Sequence, residues 1–323
     1  MKLNFLLLLL VSTNVFAQKS LNTRETSADT KKDYTSYHQQ IRKAEELIVD
    51  QKYPEAVQVY RLVFDSYEFL FLRDCKVATQ VALHAGETDA AFYFLRSGFK
   101  NGWELKSARK EAWLKSSKGH PLWKRTVAEY PRLRAVYLSR ISPEIRQIVK
   151  EMFRKDQRKA LGALFTFTSA AQDRYAEKKF APHSVKQMNK LIAMMKTCGY
   201  PGERLIGTEN WASVIISHHN SISEEHAIAD TLYPYIRPQL LAAIGKGQVN
   251  PYEFAFMEDW YVAVRSGHKE KAFGILQNNL TQPETIKANE LRDQAGLRSL
   301  ETQRKLSDIE KLTGMQFYIR HVH

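Results

Sequence analysis

The chain has 323 residues, 48 Lys/Arg against 35 Asp/Glu and a formal charge of +13, with two cysteines, 14 glycines and 10 prolines. Two cysteines exclude a disulfide framework as the source of stability at this length. Few glycines and prolines, with apolar residues recurring three and four apart, predict a mainly all-α protein.

The first seventeen residues, MKLNFLLLLLVSTNVFA, carry one lysine, an apolar run Phe5–Val11 and then a polar patch. Val15 and Ala17 suit the −3 and −1 positions of a signal peptidase. The expectation is a signal peptide over 1–17, cleavage before Gln18 and export to the periplasm or beyond. The run is too short for a membrane span, and no later segment reaches 18 uncharged apolar residues, so no transmembrane segment is expected in the mature chain. Residues 18–32 are polar without apolar period and read as a disordered leader.

A helical repeat domain is expected over 33–140. The segments QKYPEAVQVY (Gln51–Tyr60) and GETDAAFYFL (Gly86–Leu95) align at an offset of 35 residues, pairing Ala56 with Ala91 and Tyr60 with Leu95. A small residue followed by a large one lets paired helices approach, one filling the gap beside the other. This spacing resembles the second helix of the tetratricopeptide repeat, which implies helical hairpins and a face for a peptide or protein partner. Trp103, Leu105, Trp113, Leu114, Leu122 and Trp123 supply the apolar load that would close the stack.

Residues 101–160 hold 16 Lys/Arg against 6 Asp/Glu. In an exported chain this favours an acidic protein partner or peripheral contact with an anionic surface, and no nucleic acid is expected in that compartment. At Ser139–Pro143 the pattern breaks. Ser142 is placed to cap a new helix with Pro143 at its first position, and Ile145, Ile148 and Met152 are expected to be buried on it.

From there to residue 315 a second helical domain is expected, with 316–323 as a strand-like tail. Its motifs are DQRK (Asp156–Lys159), LIAMMKTCGYP (Leu191–Pro201), LIG (Leu205–Gly207) and SHHN (Ser217–Asn220), followed by GQV, FMEDW, FGILQ and NELRDQAGL (Asn289–Leu297). In this order they resemble an uncharacterised bacterial family of helical domains. The resemblance implies a helical fold and supplies no activity. It keeps His218, Asp259 and Asp156 as the polar site candidates. Ser217, Asn220, Ser184, Gln187 and Trp260 stand where the family carries other residues.

The stretch SVIISHHNSISEEH (Ser213–His226) places three of ten histidines within nine residues. Zinc signatures place two histidines four apart around a glutamate, which is absent here. NSIS reads as a turn and Ser223 as a cap with Glu224 and Glu225 in the first turn behind it. The cluster therefore reads as helix-end residues, His226 and Asp230 as an exposed pair, and neither a metal nor a cofactor is expected. Cys75 and Cys198 fall in different expected domains, which disfavours a bridge. No nucleophile elbow, phosphate loop or C-x-x-C occurs.

Two functions remain. The favoured one is an exported helical-repeat binding or scaffold protein. The alternative is an enzyme, a hydrolase with His218 as general acid or base, Asp259 orienting it and Asp156 nearby.

Overall fold

The computed structural model describes residues 32–318 apart from 164–167, 169–170, 172–173 and 277–278. The expected signal peptide over 1–17, nearly all of the expected leader over 18–32 and the last five residues lie outside this range. The described residues are helical and contain no strand; Met315–Tyr318 run as non-strand chain.

Two hairpins come first: α1 (Tyr34–Val49) with α2 (Tyr53–Ser66), and α3 (Leu72–His84) with α4 (Thr88–Lys100). Asp33 caps α1 by accepting from Thr35 N at 2.8 Å. The two hairpin turns match bond for bond. Lys52 N donates to Leu47 O and Glu87 N to Ala82 O, each at 2.8 Å. Gln51 and Gly86 hold the same left-handed position, at φ 60° and 77°. Ala56, Tyr60, Ala91 and Leu95 are all buried.

A short α5 (Leu105–Ala108) and two 3₁₀ turns lead to α6 (Pro121–Arg140). Trp103, Leu114, Trp123 and Leu133 pack there with Phe92, Leu95 and Phe99 of α4. Of the six residues the sequence singled out as apolar load, Trp103, Leu114 and Trp123 lie in this core and Leu105, Trp113 and Leu122 at its margin, while Leu133 was not singled out.

The chain breaks between α6 and α7 (Pro143–Ala163). Ser142 Oγ accepts from Ile145 N at 3.3 Å and its carbonyl from Arg146 N at 2.9 Å, so the cap forms as read. One expectation for this helix fails. Val149, Met152 and Asp156 are buried, whereas Ile148 is 47% exposed. At roughly 100° per residue, Ile148 lies about 70° from the middle of the stripe made by 145, 149, 152 and 156, and the partners of α7 do not reach it.

The remaining helices are α8 (Ala181–Cys198), α9 (Glu203–Ile206), α10 (Trp211–Asn220), α11 (Glu224–Ala229), α12 (Leu232–Gly245), α13 (Pro251–Arg265), α14 (Gln282–Gln294) and α15 (Leu300–Thr313). A π-helical turn, Ala176–Phe180, runs into α8. Their core runs from Val149 through Ile215, Tyr233 and Phe254 to Leu297. The chain then returns to the first hairpins: Leu306, Met315 and Phe317 are buried in the same core as Tyr37 and Tyr60. Glu45 of α1 is held there by Arg73 at 2.6 Å and Arg298 at 2.8 Å. Cys75 and Cys198 are free thiols.

Candidate functional site

Helix α10 begins WASVII and ends SHHN. Its first turns are apolar and buried on several sides, against α7, α8 and α13. A helix that enters a core this way carries its last turn in with it. Ser217, His219 and Asn220 are buried, and each needs a partner.

His218 meets Asp156 of α7, with Nδ1 to Oδ2 at 2.5 Å. Asp156 is fully buried and the His218 side chain is 30% exposed. Nδ1 donates to the carboxylate, which fixes the tautomer and leaves the lone pair on Nε2. Phe180 stands edge-on to the ring at 6.3 Å. His183 of α8 joins this group, its Nε2 3.2 Å from Gln187 Nε2. Burial lowers the His183 pKa, and the nearby Asp156 charge works against that shift. Asp156 Oδ1 and Gln187 Oε1 are buried with no hydrogen-bond partner among the described residues.

His219 points the other way. Its Nδ1 is 3.0 Å from Ser184 Oγ and its Nε2 is 3.1 Å from Asp230 Oδ1. Asp230 also accepts from Leu232 N at 3.0 Å and Tyr233 N at 2.9 Å, which stops the free amides at the start of α12. Burial raises the Asp230 carboxyl, but His219 and those two amides outweigh it and hold the group down at about 2. The ring of His226 lies edge-on to that of His219 at 4.9 Å. Burial lowers the His226 pKa, and His219 adds to the shift. Ser223 caps α11 as read from the sequence. The expected exposed His226–Asp230 pair is corrected: the Asp230 side chain is nearly buried and turns to His219, because the amides behind it need an acceptor.

The three candidates divide. His218 and Asp156 come together. Asp259 does not orient His218; its carboxylate accepts from the backbone N–H groups of Phe273, Ile275 and Leu276 and holds that loop. Burial raises its pKa and the three amides oppose the shift. Asp156 takes the orienting role instead. His183 went unread in the sequence, although its i, i+4 spacing to Gln187 was visible. Ser184 and Gln187, noted only as departures from a family pattern, are part of the histidine cluster.

A second candidate lies on the surface of the basic region. Glu104, Leu105, Lys106, Arg109, Lys110 and Tyr130 line an open groove of about 520 Å³. Tyr130 is fixed edge-on to Phe99 at 5.0 Å. Lys106, Arg109 and Lys110 are exposed, and none has an ion-pair partner among the described residues. Glu104 faces Arg134 at 3.8 Å and Glu111 is taken by Lys76 at 3.2 Å, so the nearby acids are engaged elsewhere.

No helix among the described residues is long and apolar enough to cross a membrane. Comparison with known proteins finds no match: no protein-family model, no curated protein and no solved structure.

Proposed function

We propose that this is an exported helical binding protein that holds an acidic segment of a protein partner in the groove between α5 and α6. The single observation that carries this reading is the set Lys106, Arg109 and Lys110 around Tyr130, three cations without an internal partner beside an aromatic floor. Such a set raises the local concentration of an acidic chain and gives its apolar side chains a surface to rest on. The matching hairpin turns at Gln51 and Gly86 support reading α1–α4 as tetratricopeptide-like units, the kind of scaffold that presents a peptide-binding face. The apolar N-terminal run supports export. The likeness of the C-terminal half to an uncharacterised helical family adds no activity.

The test is a fluorescence-anisotropy titration with a labelled acidic peptide at low and at physiological salt. Reversing Lys106, Arg109 and Lys110 to glutamate is expected to weaken binding about tenfold or more while leaving the melting temperature in place. Unchanged affinity sinks the reading.

One observation favours a second reading. His218 is held in one tautomer by a buried carboxylate at 2.5 Å on a side chain that is itself 30% exposed, an arrangement that suits a general base. On this reading the protein is a hydrolase in which His218 takes a proton from water and Asp156 steadies the imidazolium. A panel of ester and amide substrates tests it: turnover lost in His218→Ala supports it, and no turnover by the wild type removes it.

A further inference from the structure

We propose that His219, His226 and Asp230 form a binding site for a divalent transition-metal ion of the zinc class. Their ligand atoms, one from each residue, all lie within 4.8 Å of one another. Independently, His219 Nε2 and His226 Nε2 are buried and have no hydrogen-bond partner among the described residues. His219 is 1% exposed, so its nitrogen has no access to water instead. A buried ring nitrogen without a partner is costly, and two of them beside one carboxylate call for a common partner.

The geometry identifies what that partner is. His219 Nε2 and Asp230 Oδ1 are 3.1 Å apart, yet this contact does not meet the geometry of a hydrogen bond. Hydrogen bonding demands a near-linear approach; two ligands of one cation do not. Bonds of about 2.0–2.1 Å at tetrahedral angles set ligands roughly 3.3 Å apart, close to this separation. The three ligand atoms lie within 4.8 Å of one another, so closing them onto one ion takes side-chain movement of roughly 1.5 Å at most to reach that spacing. Ser184 supplies the supporting contact: with Nδ1–H of His219 donating to its Oγ, the lone pair sits on Nε2, where a metal needs it.

Two imidazoles and one carboxylate suit zinc or its first-row neighbours rather than calcium or magnesium, which take oxygen ligands. Three protein ligands leave a fourth position for water. The helix-cap role of Asp230 does not compete, since a carboxylate has lone pairs enough for two amides and a metal. The spacing of the histidines hid this site because its third ligand comes from the turn after α11. The site is separate from the His218–Asp156 pair and from the basic groove, and it stands whether or not either reading of function holds.

The experiment is elemental analysis and thermal melting of the full chain after equilibration with zinc and removal of free metal. The wild type is expected to retain one zinc per chain and to melt higher with zinc than without, by mass action. His226→Ala, which leaves the α12 cap in place, is expected to lower zinc affinity about tenfold or more, and Ser184→Ala about 10- to 100-fold. Asp230→Asn, which keeps an oxygen for the Leu232 amide, moves in the same direction. His218→Ala is expected to keep its zinc. Absence of zinc uptake by the wild type, undiminished uptake by His226→Ala, or loss of zinc in His218→Ala each overturns the assignment.

Discussion

The segment 101–140 and the helices α7, α8, α10 and α11 handle polar residues in opposite ways. The first puts most of its charges outside, over a core of Trp103, Leu114, Trp123 and Leu133, with Arg140 turned in toward Asn101 as the exception. Among its residues only Asn101 and Thr126 are buried polar groups. The second brings Asp156, Ser184, Gln187, Ser217, His219 and Asn220 inside. An exposed cation without a partner costs little, so the basic face acts through its field over a surface. A buried polar atom without a partner costs on the order of 1–3 kcal/mol, so the interior cluster points to atoms still to be satisfied. The same chain thus offers two kinds of candidate site, and each has to be tested by its own physics.

The largest effect tests where the interior of α7 lies. Val149→Asp places an unpaired charge in the core and is expected to cost several kcal/mol, or to prevent folding. Ile148→Asp, one residue away and exposed, is expected to cost about 0.5 kcal/mol or less. Thermal melts of the two variants decide this. Equal losses would mean that α7 is buried on a broader face than the comparison allows.

The next effect concerns pH. Burial raises Asp74 to about 6, with Arg73 and the Tyr37 hydroxyl opposing and Glu45 adding to the shift. Burial likewise raises Glu45 to about 7 against Arg73. A carboxyl whose folded pKa lies above its unfolded value favours the folded state while protonated. The contribution of Asp74 is therefore present below about pH 4 and lost as pH rises through 6, on the order of 3 kcal/mol. Asp74→Asn keeps an acceptor for Tyr37 and is expected to flatten the stability profile between pH 4 and 6. A wild-type profile that rises over that interval contradicts the assignment.

The smallest effect compares the two hairpin turns. Gln51 holds a left-handed backbone that favours glycine, and Gly86 holds the same position in the second turn. Gln51→Gly is expected to gain about 0.5–1 kcal/mol. A Cβ at Gly86 would meet nothing within 4 Å, so Gly86→Ala should lose about 1 kcal/mol through conformation alone. Denaturant titrations check both signs.

These pairs also show what the sequence made legible. The all-α class followed from apolar spacing and scarce glycine. The 35-residue offset placed both turns, and Ser142–Pro143 placed the break before α7, because caps and turns are local chemistry. Ile148 was misread because a stripe's edge depends on which neighbours reach it. The pairing of His218 with Asp156 spans 62 residues and was named only as a candidate. Asp259 was drawn to the histidines by motif order, when its partners are backbone amides, which carry no sequence signature. Asp230 looked exposed because its distance from His226 along the chain says nothing of the turn that folds it onto His219.

The proposed partner is met on the outside of the basic segment and not within the polar interior of α7–α11. A lysine-acetylation footprint with an acidic peptide, read by mass spectrometry, tests it most directly. Lys106 and Lys110 are expected to be protected on binding, while the exposed Lys155 of α7 stays reactive. Protection confined to Lys155 and Lys186, with Lys106 and Lys110 reacting as in the free protein, would place the partner on α7 and α8 instead.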